Sequence, residues 1–177
     1  MDIIKIGVLT ASDRASVGEY EDISGAEIKR VMKEYILNEC DFFYELCSDD
    51  IDSISASLIK LSDDMKCDLV FTTGGTGPAP RDVTPEATKK VIEKELPGFG
   101  EKMRFDSLQY TPTSILSRQT AGVRGKTLII NLPGKPKAIK ECIDSVFGAI
   151  GYCLDLIGGG YIEGSDIAPK IFRPKAK

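Results

Sequence analysis

The chain has 177 residues, a net charge of −4 and no histidine. With 42% hydrophobic and 28% charged residues it has the composition of a globular protein, and its length suits a single domain over residues 1–177. The lack of histidine excludes Ser-His-Asp hydrolysis, imidazole acid–base catalysis and histidine-ligated zinc. An acidic chain without tryptophan also argues against nucleic acid as a partner.

The amino terminus has no basic segment followed by an apolar segment and a cleavage site, so a secretory signal is not expected. No apolar run reaches the roughly 20 residues that span a bilayer. Five cysteines occur, none of them in a C-x-x-C pair. Since most lie in apolar segments, we expect buried free thiols in a reducing compartment. The sequence therefore predicts a cytoplasmic protein with no membrane partner.

Short apolar runs rich in β-branched residues predict the strands of the fold. In chain order they are 3–10, 42–47, 69–73 and 127–132.

Helical periodicity fills the intervals between these runs. Helices are expected over 28–36, over 51–65 with Asp49 or Asp50 as a cap, from Thr84 as an N-cap, and over 136–147. The stretch up to Arg118 is predicted to be helix-rich, and 158–177 a polar C-terminal tail on the surface. This alternation predicts an α/β fold: a three-layer domain with a mostly parallel sheet and helices on both faces.

In such sheets, ligands bind beyond the carboxyl ends of the strands. The main candidate segment follows the third strand, where glycines let the backbone fold closely around an anion. Its threonine hydroxyls add donors, and an arginine there could bind a phosphate. The alternative is an ordinary tight turn, because a lone glycine-rich loop is a weak signal. The candidate residues are Thr73, Gly74, Gly75, Thr76, Gly77, Arg81 and Asp82.

Two acids on the expected ligand edge could bind magnesium. Asp49 follows the second strand and Asp82 follows the glycine loop. Mg²⁺ is typically held by one or two carboxylates together with substrate phosphates and waters, which suits phosphoryl or nucleotidyl transfer. The alternative is that each acid caps a helix, which is the commoner use.

Two further loops leave strands at the same edge, and a polar patch precedes the last strand. Each could bind an anion or a polar ligand, and each could equally be a polar turn or solvated surface. The residues concerned are Ser12 and Arg14 after the first strand, Asn131 at the end of the last strand, Pro133, Gly134 and Lys135 after it, and Ser117 in the patch.

Taken together, these segments resemble the molybdopterin adenylyltransferase family. The match is carried by LTASDRAS at 9–16, TTGGTGPAPRDVTPEAT at 72–88, PGFGEKMR at 97–104 and SILSRQTAGVRGKTLIINLPGKPKAI at 114–139. Similar domains occur in gephyrin and in plant molybdenum-cofactor proteins. A sister branch of the family is thought to bind molybdopterin without catalysis, but it ends the late strand with a different turn from NLPGKPKAIKE at 131–141.

The resemblance implies a homotrimer that converts ATP and molybdopterin into adenylyl-molybdopterin and pyrophosphate with Mg²⁺. Asp49 and Asp82 would be the family's two essential acids and the magnesium ligands. The glycine loop would cradle phosphate, Ser117 would contact molybdopterin, and the turn at 133–136 would line the same pocket. A molybdate-inserting protein would receive the product. The alternative function is that of the sister branch, a non-catalytic molybdopterin-binding assembly module.

Overall fold

A six-stranded sheet forms the centre of the protein in the computed structural model, which describes residues 2–19 and 21–175. In chain order the strands are β1 (Ile4–Ala11), β2 (Cys40–Cys47), β3 (Leu69–Thr73), β4 (Lys94–Glu95), β5 (Ala121–Arg124) and β6 (Thr127–Leu132). The spatial order is β2-β1-β3-β6-β5-β4. The first four of these are parallel and the last two pairings are antiparallel, so the mostly parallel sheet predicted from the sequence is confirmed.

Helices connect the strands and cover the sheet. They are α1 (Asp13–Ser16), α2 (Ile23–Tyr35), α3 (Ile51–Ile59), α4 (Thr84–Val91), α5 (Pro97–Ser107) and α6 (Pro136–Ile157). A π-helical turn at Lys60–Asp64 continues α3, and a 3₁₀ turn at Pro112–Leu116 follows α5.

The side chains of each strand alternate between two apolar layers. In β1, Ile6 and Val8 face the layer that contains α2 and α6, whereas Leu9 belongs to the layer that contains α3 and α4. In β3, Phe71 and Val70 divide in the same way. Both faces of the central strands β1 and β3 are therefore buried, which explains their continuous apolar runs, and the helices on the two faces of the sheet confirm the three-layer α/β fold.

The structure corrects several predicted boundaries. Helix α4 begins at Thr84 with Val83 as its N-cap, because the Thr84 hydroxyl bonds to the glycine loop instead of capping the helix. Strands β4 and β5 lie where the sequence predicted helix or assigned no element. They are short edge strands of two and four residues, too brief to give a periodic signal.

The segment after α6 packs against the body of the protein more closely than a surface tail. Ile162 is completely buried in the larger apolar layer. The Leu37 amide donates to the Glu163 carbonyl, and the Asn38 side chain donates to the Tyr161 carbonyl. This segment therefore contributes to the core, although most of its residues are polar.

None of the helices in the described part of the chain is long and apolar enough to cross a membrane.

We expect Ile162→Ala to lower the free energy of unfolding by about 2–5 kcal/mol, because it opens a cavity in the core. Ile167→Ala is the matched control: it removes the same atoms from a side chain that is 69% exposed, so a change within about 0.5 kcal/mol is expected. Urea unfolding measures both variants. Equal effects of the two substitutions would show that residues after α6 do not form part of the core.

Candidate active site

The turn after β3 has a backbone conformation that requires glycine. Gly74 has φ = +93° and Gly75 has φ = +64°, the left-handed region that other residues rarely adopt. A Cβ at Gly74 would collide with the carbonyl oxygen of Ala11, and one at Gly75 with the hydroxyl of Thr84. The glycines therefore permit a close approach of three chain segments at the carboxyl edge of the sheet.

Hydrogen bonds fix the turn to its neighbours. The Thr84 hydroxyl donates to the Gly74 carbonyl (2.9 Å), and the Thr84 amide donates to the Gly75 carbonyl (3.0 Å). The Thr73 hydroxyl donates to the Pro133 carbonyl (2.8 Å), which joins the turn to the loop after β6. A Cβ at Gly134 would lie 3.6 Å from the Gly74 Cα, so the two loops are in contact. The structure thus brings together two of the segments that the sequence singled out.

The loops after β1 and β2 meet on the other side of this turn. The Asp13 amide donates to the Asp49 carboxylate and the Asp49 amide donates to the Asp13 carboxylate, each at 2.9 Å. Arg81 forms an ion pair with Asp13, and its Nε lies 3.0 Å from the carboxylate. Ser12 caps α1 by accepting a hydrogen bond from the Ala15 amide. These contacts hold the side chain of Asp49 in place.

The electrostatics of the two carboxylates differ. The pKa of Asp49 is raised, mainly by burial and also by the negative charges of Asp13 and Asp82, and the backbone hydrogen bond and Arg81 only partly offset this. The pKa of Asp13 is lowered by the hydrogen bond from the Asp49 amide and by Arg81. Asp49 is therefore a partly buried acid among other acids, an arrangement that a bound cation would stabilise.

The carboxylate oxygens at this edge of the sheet are the kind of ligand that Mg²⁺ prefers. Asp49 and Asp82 supply carboxylate oxygens, and one Asp82 oxygen already accepts a hydrogen bond from the Ala79 amide (3.0 Å). Among residues 2–19 and 21–175, no group of three or more His, Cys, Asp or Glu side chains could hold a metal. A pair of carboxylates that relies on phosphates and waters for the remaining ligands is a usual environment for Mg²⁺ and an unusual one for a tightly held structural metal.

A cavity of about 340 Å³ opens on the side of the glycine turn that faces α6. Its walls come from the turn itself, from the segment between α5 and β5, and from the start of α6. The lining residues are Thr76, Gly77, Ser107, Thr111, Thr113, Ser114, Leu116, Ser117, Gln119, Pro133, Gly134, Lys135, Ala138, Glu141 and Cys142. Six of these fifteen residues are serine or threonine.

Arg118 joins the two halves of the site, a role that sequence reasoning missed. Its Nε donates to the Gly77 carbonyl (2.8 Å), and its Nη2 donates to the Asp82 carbonyl (2.6 Å). Its backbone amide donates to the Thr76 carbonyl (2.8 Å). An ion pair with Glu86 completes its contacts and lowers the pKa of that carboxyl. The sequence offered only an arginine in a polar patch, which is usually solvated surface.

Asn131 is not among the residues that line the cavity. Its side chain is fully buried, and its amide nitrogen donates to the hydroxyls of Thr72 (3.0 Å) and Thr88 (2.9 Å). It therefore links β3, α4 and β6 beneath the site. Arg14 lies exposed in α1, next to Asp13 in the chain, and it is not among the residues that line the cavity.

The fold and the site define a class of protein. An α/β sheet carries a glycine turn at its carboxyl edge, with paired acids on one side and a hydroxyl-lined cavity on the other.

Residues 7–150 match the family described as "Probable molybdopterin binding domain". Among solved structures, the molybdopterin biosynthesis enzyme MoaB from Thermus thermophilus superposes with a TM-score of 0.82 at 40% identity, covering 91% of this chain and 100% of that one. The molybdopterin biosynthesis protein Mog from Mycobacterium ulcerans gives 0.80 at 32% identity, covering 87% and 99%.

Relatives that align with nearly the whole chain identify a particular family within this class. The chain is 62% identical to a molybdopterin adenylyltransferase of Helicobacter pylori strain J99 over 175 residues, covering 99% of each protein. It is 42% identical to the molybdopterin adenylyltransferase of Escherichia coli K12 over 188 residues, covering 99% of this chain and 96% of that one. The chain belongs to the molybdopterin adenylyltransferase family.

We expect Asn131→Ala to lower the free energy of unfolding by about 1–3 kcal/mol, because buried groups lose their hydrogen-bond partner. Urea unfolding measures this. Ser114→Ala, at a partly buried residue of the cavity wall, is the control and is expected to unfold close to wild type. An Asn131→Ala protein of unchanged stability would contradict the role of this side chain beneath the site.

Proposed function

We propose that this protein transfers AMP from ATP to molybdopterin, giving adenylyl-molybdopterin and pyrophosphate, as a step of molybdenum cofactor biosynthesis. The observation that carries the proposal is the position of the glycine turn between the Asp49–Asp82 side and the hydroxyl-lined cavity. A nucleotide and a phosphorylated pterin can then meet at one turn. The 62% identity to an adenylyltransferase over the whole chain supports the same conclusion.

The turn is suited to bind the phosphate groups that react. Gly74, Gly75 and Gly77 lack side chains, so an anion can approach the backbone closely, and the amino-terminal end of α4 follows with its positive dipole. Arg81 is held by Asp13 in an exposed ion pair, which solvent weakens, so the guanidinium can exchange Asp13 for a phosphate. Lys135 approaches from the loop after β6.

In the reaction, an oxygen of the terminal phosphate of molybdopterin attacks the α-phosphorus of ATP. A new P–O bond forms, the bond from the α-phosphorus to the bridging oxygen breaks, and pyrophosphate leaves with that electron pair. The nucleophile is already anionic and needs no general base, which agrees with a chain that contains no histidine. The residues of the site therefore contribute by orienting the two phosphates and stabilising their charge.

We assign Asp49 and Asp82 as the residues that would hold Mg²⁺. When bound, the ion supplies positive charge that offsets the repulsion between the phosphates. Asp13 then acts as a positioning residue, since it orients Asp49 through the reciprocal hydrogen bonds. Ser117 and the loop at 133–135 are proposed to contact molybdopterin, because they line the cavity.

The decisive experiment mixes the protein with ATP, Mg²⁺ and molybdopterin and follows adenylyl-molybdopterin by chromatography and mass spectrometry. Wild type is expected to form the product, with Asp49→Asn and Asp82→Asn reduced about 100-fold or more through loss of transition-state charge stabilisation. Asp52→Asn is the matched control, because Asp52 lies near Asp49 in the chain but its side chain is 90% exposed. Absence of product with wild type would disprove the proposal, and full activity in both variants would disprove the assigned roles.

A second candidate is the non-catalytic molybdopterin-binding module. The observation that favours it is the match of residues 7–150 to a family described as "Probable molybdopterin binding domain", since this description names binding and no reaction. It predicts molybdopterin binding that is independent of ATP and Mg²⁺, whereas an adenylyltransferase binds each substrate and then forms product. Calorimetry with ATP alone, molybdopterin alone and both together distinguishes the two.

From the resemblance to the molybdopterin adenylyltransferase family we also propose that the protein acts in the cytoplasm as a homotrimer and passes its product to a molybdate-inserting protein. Sedimentation equilibrium is expected to give three times the 19.3 kDa mass of one chain. A mass of one or two chains at micromolar concentration would contradict the trimer.

A further inference from the structure

The cavity beside the glycine turn is electrically polarised. Among its described lining residues, Lys135 is the one basic side chain and Glu141 the one acidic side chain. Lys135 lies next to the Gly74 turn, where phosphate is proposed to bind. Glu141 lies farther along the same wall, so the two charges mark the two ends of the cavity.

The spacing of these charges follows from the helix that carries them. Lys135 is the N-cap of α6, and Glu141 follows it by six positions, which corresponds to a rise of about 9 Å. Ala138 lies midway, and positions 135, 138 and 141–142 recur at intervals of three and four residues on one face. This separation suits a ligand with a phosphate at one end and a ring at the other.

The carboxylate of Glu141 has no partner of its own. It forms no hydrogen bond or ion pair with any residue in the described ranges 2–19 and 21–175, and it is half-buried. Two other acids of α5 and α6 do have partners. Asp144 forms an ion pair with Lys140, and Asp106 forms one with Lys102 and accepts a hydrogen bond from the Ser145 hydroxyl. A half-buried carboxylate on a cavity wall is costly to desolvate unless a ligand supplies donors.

We propose that Glu141 recognises the pyrimidine edge of the pterin ring by accepting hydrogen bonds from its ring N3–H and its 2-amino group. Two parallel donors on a planar ring edge match the two oxygens of a carboxylate, as a guanidinium does. The assignment rests on the proposed function, since it places molybdopterin with its phosphate at the glycine turn. Glu141 then selects pterins over ring systems that carry a carbonyl at position 2.

The test uses two fragments, 6-hydroxymethylpterin monophosphate and the corresponding lumazine, in which a 2-carbonyl replaces the 2-amino group. Their dissociation constants are measured by calorimetry for wild type, Glu141→Gln and Glu141→Ala. Wild type is expected to prefer the pterin by about 10- to 100-fold, because the lumazine loses the hydrogen bond from the 2-amino group to a charged carboxylate. Glu141→Gln is expected to reverse the preference, because its amide donates to the 2-carbonyl and accepts from N3–H. Glu141→Ala is expected to bind both fragments weakly and without preference.

Glu101→Gln is the matched control, because Glu101 is exposed on α5 and does not line the cavity. It should retain the wild-type preference. The assignment would be overturned if Glu141→Gln kept the wild-type preference for the pterin. It would also be overturned if this variant lost affinity equally for both fragments and had a lower melting temperature, since that result indicates a structural role. Adenylyl transfer by wild type is measured in parallel: if it occurs while Glu141→Gln keeps the wild-type preference, the inference fails and the function stands. If wild type transfers no AMP, the function fails, and the fragment preferences still decide the role of Glu141.

Discussion

The backbone conformation of Gly74 and Gly75 is the constraint on which the site depends. Two consecutive residues with positive φ turn the chain sharply at the end of a fully buried strand. The turn places the Gly74 carbonyl on the Thr84 hydroxyl and its Cα against Gly134. If this turn were wider, the loops after β1, β3 and β6 would not meet, and the acids and the cavity would belong to separate surfaces.

The loops that meet at this turn allow a protein of negative net charge to bind anionic ligands. The net charge of −4 describes the whole chain, whereas the site is organised locally by backbone groups, Arg81 and Lys135. The pKa of Asp49 is raised mainly because burial disfavours its charged form, and the negative charges of Asp13 and Asp82 add to this effect. The Mg²⁺ proposed to bind there would stabilise the charged form of Asp49 and would offer the phosphates a positive charge in addition to the groups of the protein.

The sequence was sufficient to predict the four parallel strands and the position of the glycine turn at their carboxyl edge, because both depend on local patterns. Buried parallel strands give apolar runs, and a glycine run directly after one of them indicates the ligand edge. The adjacent acids at 49 and 50 could not be told apart in this way. The structure separates them: Asp50 caps α3 by accepting from the Ser53 amide, and Asp49 turns towards Asp13.

Contacts between distant segments account for what could not be predicted. Asn131 lies near the end of β6, in a motif that predicts a ligand-binding loop. Its side chain is nevertheless buried, because it donates hydrogen bonds to Thr72 of β3 and Thr88 of α4. The contacts of Arg118 with Gly77 and Asp82 depend on the path of the chain between α5 and β5. Strand β4 is two exposed charged residues and becomes a strand only by pairing with β5.

The length of α6 connects the cavity to the opposite end of the molecule. The helix has 22 residues, which corresponds to about 33 Å, and one end forms a wall of the cavity. At Gly148 and Gly151 it packs closely against residues 170–173, where the Phe172 amide donates to the Gly148 carbonyl. The same helix therefore carries both the cavity wall at 135–142 and the contact with residues 170–173, so the packing of the carboxyl-terminal segment and the shape of the cavity depend on one continuous element.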